Sequence, residues 1–147
     1  MYKHILIPID DSKLSETAVK NGIAFARSIG AAVTGFTAVP EYQIPNELEI
    51  MNKSAISMDE HNKRTRRKAH SILRKIQLKA RSAGVTCDTD YVQSDHPDEA
   101  IVRAANKHGC DLIFMASHGR SGLKALVLGS QTRGVLGKSK IPTLVYR

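Results

Sequence analysis

The sequence predicts an α/β fold built on one open, five-stranded parallel sheet with helices on both faces. Two observations predict it. Apolar runs of strand length alternate with segments of helical period along the whole chain, which is the order of β–α–β units. Two of those runs, residues 5–9 and 112–115, carry no charged or hydrogen-bonding side chain, as is typical of strands buried on both faces of a parallel sheet.

Size and composition are those of one globular domain. The 147 residues fit a single domain, residues 1–147, because domains are typically about 100–150 residues long. Hydrophobic residues make up 41% and charged residues 24%, which excludes a disordered chain. No apolar run approaches the ~18 residues of a membrane span, and the first one is too short for a secretory signal. We therefore expect a cytoplasmic protein without a membrane partner.

The first three elements are a strand, a helix and a strand. The first strand covers residues 3–9. The helix after it is capped by Ser12 or Ser15 and stops at Gly30, and its apolar residues recur every three or four positions. The second strand, Ala32–Val39, ends before a proline.

The middle of the chain contains its strongest helical signal. Residues 40–57 show no clear period and are interpreted as a loop or lid. The stripe of apolar residues in Met58–Ala83 predicts a long helix that ends at Gly84. Residues 85–92 then alternate with period two, which indicates a strand with one exposed face at a sheet edge.

The last third repeats the pattern. Pro97 fits the first turn of a helix, and residues 111–116 form a buried strand. A glycine-containing connection over residues 117–128 leads to a helix that starts near Gly129, and residues 141–146 form the last strand. We expect a Rossmann-like strand order of 3-2-1-4-5, with ligands at the carboxyl ends of the strands where the order reverses.

Neither familiar phosphate loop is present. The sequence has no GxGxxG after the first strand and no GxxxxGK[ST] anywhere. Small residues over 116–122 instead leave a buried strand, and Gly129 and Ser130 then open a helix. Such a helix start can bind an anion through free N–H groups, or it can be an ordinary connection in which Ser130 only caps the helix.

The order of four segments resembles the universal stress protein family. These are ILIPIDDS at residues 5–12, DLIFMASHGR at 111–120, LGSQT at 128–132 and IPTLVYR at 141–147. The match runs over residues 3–147. The resemblance implies an adenine nucleotide alpha hydrolase-like fold and a homodimer formed through the C-terminal strand.

The ATP-binding branch of that family carries the pattern Gly-x2-Gly-x9-Gly-Ser/Thr after the fourth strand. Gly119, Gly129 and Ser130 match it at the correct spacing, whereas Ala116 stands in place of the first glycine. Alanine keeps its backbone N–H and adds one methyl group. Alanine would interfere with nucleotide binding if this position needs a positive φ, or if its methyl group contacts the ribose or phosphate.

The resemblance implies a role for each matching position. Asp10 would lie near the ribose and phosphates, in part through Mg²⁺, unless it is only a helix-capping carboxylate. Val39 would meet the adenine through its backbone, while its side chain is core in either case. The remaining residues would shape the phosphate loop and hold the phosphates: Ala116, Gly119, Gly129, Ser130 and Gln131.

Further candidates for phosphate contact are Ser117, His118 and Arg120. His118 can be drawn as a triad with Asp10 and a serine, but no GxSxG nucleophile elbow accompanies it. We expect it to hydrogen-bond within the loop, and we expect little or no turnover, at most slow ATP hydrolysis. A cluster that resembles a metal site on paper is more typical of a helix start around a proline: Asp95, His96, Asp98 and Glu99.

The chain is strongly basic, with a net charge of +8 and a pI near 9.7. Nine Lys and Arg residues crowd residues 63–81, which is typical of a solvated helix face or of phosphate contacts with nucleic acid. Few aromatic residues accompany them, so we do not expect nucleic-acid binding. Cys87 and Cys110 stand in apolar stretches and are expected to be free thiols rather than zinc ligands.

Two hypotheses of different classes follow. The first is an ATP-binding stress-response or regulatory protein that holds ATP with Mg²⁺. The second is a nucleotide-independent dimeric module that docks on unknown protein partners. Ala116 favours the second, and the intact spacing from Gly119 to Gly129 and Ser130 favours the first.

Overall fold

The computed structural model describes residues 1–118 and 128–147 and has the predicted architecture. All strand pairs are parallel, and the strand order is β3-β2-β1-β4-β5. The elements in chain order are β1 (His4–Pro8), α1 (Lys13–Ile29), β2 (Ala32–Val39), α2 (Glu47–Met51), α3 (Met58–Ala83), β3 (Cys87–Gln93), α4 (Pro97–Lys107), β4 (Leu112–Ala116), α5 (Ser130–Lys138) and β5 (Thr143–Tyr146).

Helices cover both faces of the sheet. One core cluster joins α1 and α3 to the sheet and includes Ile7, Val19 and Ile76. The other joins α4 and α5 to the opposite face and includes Ile113 and Val135. These side chains are fully buried, which explains why β4 and the centre of β1, residues 5–7, lack polar side chains. Within the described ranges, no helix has the length and apolar character needed to cross a bilayer.

The caps fix the helix ends. Ser12 is the N-cap of α1 and accepts a hydrogen bond from the Ser15 N–H, and Ser57 caps α3 in the same way. Gly30 and Gly84 end these helices with φ of 69°. The predicted bounds of α3 and β2 are confirmed to the residue.

The prediction of a loop over residues 40–57 was wrong in part, because this stretch contains the five-residue helix α2. Asn46 forms a capping box with Glu49, in which each side chain bonds to the other residue's backbone N–H. A single turn is too short to show a helical period. The prediction of strand 3 also began too early, because the Val85 N–H donates to Ala80 at the end of α3 and the strand starts at Cys87.

The acidic cluster that resembles a metal site is the start of α4, as expected. His96 is the N-cap residue, and Asp95 accepts hydrogen bonds from the Glu41 N–H and the Gln43 side chain. Lys138 on α5 donates to Asp98 at 2.6 Å and to Glu99 at 3.0 Å. The Asp98 N–H donates to Gln131 Oε1 at 2.9 Å. These contacts bind α5 to the start of α4.

Both cysteines are free thiols in partly or fully buried positions. Burial raises the pKa of the Cys110 thiol to about 11, and it also raises the pKa of Cys87. Neither thiol is therefore present as the reactive thiolate near neutral pH.

We predict strong coupling between Gly35 on β2 and Ile76 on α3. A Cβ at residue 35 would lie 2.6 Å from Ile76 Cγ2, so Gly35→Ala should cost about 1–3 kcal/mol by overpacking. Ile76→Ala alone should cost about 2–5 kcal/mol through the cavity it leaves. In the double variant the Cβ added at residue 35 fills part of the cavity left at residue 76. Urea unfolding should therefore give a loss of unfolding free energy well below the sum of the two single losses. Additive losses would show that the contact is relaxed in solution.

The ion pair between Lys138 and Asp98 should make stability depend on pH. Burial is the largest single effect and by itself would raise the pKa of Asp98. The hydrogen bond and charge of Lys138, together with hydrogen bonds from the backbone N–H groups of Glu99 and Asp98, outweigh it and lower the pKa from its ordinary 3.8. A carboxylate with a lowered pKa contributes stability that is fully present above pH 3.8 and is lost as the pH falls through the folded-state value.

Lys138→Met should therefore unfold at lower urea than the parent at about pH 7, and the two curves should converge as the pH falls below that window. Lys140→Met is the matched control, because Lys140 makes no ion pair with a residue that the structure describes. A deficit of Lys138→Met that persists unchanged in acid would mean that lost packing, not charge, is responsible.

Candidate functional site

The candidate site lies at the carboxyl edge of the sheet, between β1 and β4. These strands are neighbours, but the chain continues from them to opposite sides of the sheet, so the strand order reverses between them. Asp10 follows β1, residues 117–118 follow β4, and α5 begins beside them. The topology thus brings together the three parts of the predicted site: Asp10, the exit of β4 and the start of α5.

The start of α5 is fastened to the end of β4. The Gly129 N–H donates to the Ser117 carbonyl at 2.8 Å. The buried Thr132 hydroxyl lies 3.0 Å from the Ala116 carbonyl and 3.1 Å from the Ser117 carbonyl. The helix therefore starts at a fixed position above the carboxyl edge. Thr132 was not among the predicted site residues, although it belongs to the quoted LGSQT segment.

Gly129 is required by a close backbone approach within the chain itself. A Cβ there would lie 3.2 Å from the Ser117 carbonyl oxygen and 3.2 Å from the His118 Cα. A Cβ at residue 129 would require the backbone at the β4 exit to shift by a few tenths of an ångström. The glycine of the spaced motif thus has a reason in the fold that is independent of any ligand.

The N-terminus of α5 carries no side-chain cap. Gly129 is the N-cap residue, so Ser130 is not the cap, and the first intrahelical bond runs from the Arg133 N–H to the Gly129 carbonyl. The N–H groups of Ser130, Gln131 and Thr132 precede that bond and need partners from outside the helix. The first turn contains no acidic residue. Three N–H donors and the positive end of the helix dipole suit an anion.

Asp10 turns the chain from β1 into α1. Its Oδ1 accepts a hydrogen bond from the Ser12 N–H at 2.8 Å, and its own N–H donates to Ser15 Oγ at 3.0 Å. Because Ser12 is the N-cap, Asp10 is not the cap of α1. Its second oxygen, Oδ2, accepts no hydrogen bond from the described part of the chain, and the side chain is partly exposed at the edge.

Val39 lies at the end of β2 with its side chain buried, as predicted. Its carbonyl accepts a hydrogen bond from the Ser94 N–H at 2.9 Å, which leaves one lone pair on that oxygen. The next carbonyl, that of Pro40, lies 2.9 Å from His61 Nε2. The backbone beyond Val39 is thus held against α3.

Ala116 is the last residue of β4 and has extended backbone. Among the described non-glycine residues, only Lys53 has a positive φ. Position 116 therefore does not need glycine for its backbone conformation. The residue is buried and belongs to the core cluster that joins α1 and α3 to the sheet.

His118 is oriented by its neighbour. Its Nδ1 lies 2.7 Å from the hydroxyl of Ser117, which is 2% exposed. Its Nε2 is buried and has no hydrogen-bond partner among residues 1–118 and 128–147. The triad drawn from the sequence does not form among these residues: the serine contacts His118, but no hydrogen bond joins His118 to Asp10. This buried ring nitrogen beside the start of α5 therefore has a hydrogen bond unmet by the described residues, which an atom of a ligand could satisfy only by reaching into the site.

The other predicted site residues differ in what they leave available to a ligand. The Gln131 side chain bonds to the start of α4, so only its backbone N–H is left for the site. Ser130 is exposed at the helix start. Gly119 and Arg120 lie outside the described residues.

Comparison with known proteins gives a consistent result. The model of the universal stress protein family matches residues 1–147. Universal stress protein MJ0577 of Methanocaldococcus jannaschii is 32% identical, with 100% of this chain and 96% of the relative covered. The solved structure of MJ0577 matches with a TM-score of 0.80 at 30% identity and covers 99% of this chain and 95% of that one.

Two further solved structures share the fold. A universal stress protein in complex with cAMP matches with a TM-score of 0.71 at 23% identity, covering 99% of this chain and 97% of that one. The universal stress protein from Archaeoglobus fulgidus in complex with dAMP matches with a TM-score of 0.68 at 18% identity, covering 99% and 98%. The match over the whole length, the strand order and the MJ0577 identity lead to one conclusion: this chain belongs to the universal stress protein family.

Proposed function

We propose that this chain binds an adenine nucleotide, with ATP and Mg²⁺ as the first candidate, at the carboxyl edge between β1 and β4. The observation that carries the proposal is the uncapped start of α5. Three backbone N–H groups of Ser130, Gln131 and Thr132 stand there without intrahelical partners. Phosphate oxygens are the acceptors that such donors bind best.

The chemistry of the surrounding groups fits a nucleotide. The buried Nε2 of His118 can bond to a phosphate or ribose oxygen. Asp10 Oδ2 can reach a ribose hydroxyl directly or the phosphates through Mg²⁺, which would neutralise phosphate charge. The net charge of +8 also favours an anionic ligand. Two family members of the same fold are described as complexes with cAMP and dAMP, and both ligands contain adenine.

Each predicted position has a role in this proposal. The backbone at Val39 faces the adenine, and Ala116 and Gly119 shape the ribose and phosphate loop. Ser117 orients His118, and Arg120 adds charge near the phosphates. At the start of α5, Gly129 keeps the approach to the phosphates free of a side chain, and Ser130 and Gln131 hold them, the latter through its N–H because its side chain is bound to the Asp98 backbone.

We propose binding with little or no turnover. Hydrolysis needs a positioned base for the attacking water. His118 is held by Ser117 through Nδ1, and Asp10 is held by Ser12 through Oδ1, so these two groups do not act as a relay. The proposed protein is a cytoplasmic stress-response regulator whose nucleotide state is read by partner proteins, and it forms a homodimer through the edge of β5.

The second candidate is a nucleotide-independent dimeric interaction module. The observation that favours it is the Ala116 methyl group at the β4 exit, where the ATP-binding pattern has glycine. The dimer edge is common to both candidates, so only nucleotide binding separates them.

The direct test is nucleotide release and rebinding. Protein purified without added nucleotide should release an adenine nucleotide on denaturation, identified by chromatography. The stripped protein should then bind Mg-ATP saturably by calorimetry, and parallel titrations with AMP and cAMP would rank the ligands. Absence of released nucleotide together with no binding at millimolar ATP would reject the proposal in favour of the interaction module.

Ser130→Pro tests where the phosphates bind. Proline is tolerated at the first helical position and Gly129 already has the extended backbone that precedes proline (φ −59°, ψ 155°), so the helix should survive. The variant removes one N–H donor to a charged group, worth about 1.5–3 kcal/mol. Nucleotide affinity should fall about 10- to 100-fold.

Ser130→Ala is the matched control, because it deletes the hydroxyl and keeps the N–H. It should bind nucleotide far better than Ser130→Pro, and circular dichroism should show equal folding of the two. Equal affinity of parent and Ser130→Pro would place the phosphates elsewhere. This pair is sharper than Gly129→Val, which would also crowd the Ser117 and His118 backbone.

A further inference from the structure

The first observation is a basic groove on the surface between α1 and α3, far from the candidate site. It has a volume of about 860 Å³. Its lining, called the basic groove below, contains three cations, four apolar residues and two serines and no carboxylate: Lys20, Arg27, Lys79, Ile23, Ala24, Leu78, Ala83, Ser28 and Ser82. The small side chains keep it open, and Leu78 stands half exposed on its rim.

The cations of the basic groove are little neutralised by the described residues: only Lys79 among them acts on a carboxylate, that of Glu16, which is already paired with Lys75. Lys20, Arg27 and Lys79 make no ion pair with the described residues, whereas several cations nearer the start of α3 do, such as Lys63 with Asp59. Arg74 and Arg81 extend the positive charge on the other side of Leu78, where both line a second groove. A solvated helix face with i,i+4 ion pairs therefore explains the first half of the basic stretch at residues 63–81 better than it explains the second half.

The second observation is an acidic apolar surface at the opposite end of the molecule. The acidic segment, residues 41–51, contains three glutamates and no Lys or Arg. It also holds four of the nine large apolar side chains that are exposed in the described residues: Ile44, Leu48, Ile50 and Met51. Every residue of α2 is exposed, so this apolar surface has no partner within the described chain.

Hydrogen bonds and a ring contact hold the acidic segment in a defined conformation. Asn46 and Glu49 form the capping box of α2, and the Tyr42 hydroxyl donates to the Ile56 carbonyl at 3.1 Å. The Tyr42 ring also contacts His61 on α3, with centroids 5.6 Å apart. A preformed segment loses less conformational entropy on binding.

The two surfaces complement each other in charge and in apolar character. They cannot meet within one molecule, because the acidic segment is fixed at the start of α3 and Leu78 lies 20 residues further along that helix, which is about 30 Å at 1.5 Å per residue. We propose that the acidic segment of one copy docks in the basic groove of a second copy. The carboxylates of Glu41 and Glu47 face the groove cations, and apolar side chains of α2 pack on the exposed Ala24 and Leu78.

This contact joins two different surfaces, so it is head-to-tail and can continue into a ring or an open chain. It is separate from pairing through β5, which joins identical edges. The basic groove has no aromatic lining residue for base stacking, and it is an open surface depression rather than an enclosed cavity. A docked segment of this size makes a weak contact that depends on salt.

Sedimentation velocity of the parent tests the contact. Assembly beyond a dimer should grow with protein concentration at about 0.01 M salt and vanish at about 1 M, where the Debye length falls from ~30 Å to ~3 Å. A sedimentation coefficient that is independent of concentration and salt would overturn the proposal.

A charge swap tests the two surfaces. The groove variant carries Arg27→Glu and Lys79→Glu, and the segment variant carries Glu41→Lys and Glu47→Lys. Each alone should lose the salt-sensitive assembly, with affinity reduced about 100-fold or more, because like charges now face each other. A mixture of the two variants should form a new complex, since the acidic groove of one matches the basic segment of the other.

Two controls complete the design. Arg66→Glu with Lys140→Glu changes the net charge as much as the groove variant does, at exposed residues outside the groove, and should assemble like the parent. Labelled segment variant mixed with unlabelled segment variant measures exchange through any other interface. No excess binding in the swapped mixture, or loss of assembly in the charge control, would overturn the proposal. Loss of nucleic-acid or vesicle binding in the groove variant, without self-assembly in the parent, would overturn it in favour of those partners.

Discussion

The junction between the end of β4 and the start of α5 is the constraint on which the candidate site depends. One hydroxyl, that of Thr132, bonds to two successive carbonyls, and Gly129 lets the backbones approach to van der Waals contact. A helix dipole acts on a ligand only within about the first turn, so a displaced helix would lose its effect. The fold therefore supplies the position of the positive helix end, and the N–H groups supply the chemistry.

The same junction depends on α4. Gln131 and Lys138, at the two ends of α5, both contact the first turn of α4. Gln131 satisfies a backbone N–H of that turn, as a capping side chain would. A residue that the sequence pattern assigns to the ligand thus stabilises the packing of the two helices instead, and only its backbone remains for binding. The position of α5 is consequently fixed from the sheet and from the neighbouring helix together.

The sequence predicted long elements well and short contacts poorly. The bounds of Met58–Ala83 and Ala32–Val39 follow from an extended apolar period and from glycine or proline at their ends, so they could be predicted to the residue. The helix α2 was missed because one turn has no period, although the Asn46 to Glu49 capping box was readable. The alternation of elements predicted a parallel sheet, and the order 3-2-1-4-5 followed from assigning that sheet to the Rossmann-like type.

The sequence could predict the location of the candidate site but not its side-chain contacts. Topology puts Asp10 and the β4 exit at one edge, and that much follows from the sequence. The side-chain partners do not, because they depend on packing between elements far apart in the chain. The clamp by Thr132, the bond from Gln131 to α4 and the Ser117 contact that orients His118 could not be derived from spacing.

The extended backbone of Ala116 has a consequence for how relatives of this chain are sorted. A pattern that demands glycine at the first motif position treats that residue as a requirement of the loop. In this fold the position is the end of a strand, where glycine and alanine are equally acceptable to the backbone. Sequence searches that divide the family by this one residue therefore separate chains by a single methyl group rather than by architecture. The glycine before α5, where a side chain would crowd the backbone of residues 117 and 118, is the sounder criterion.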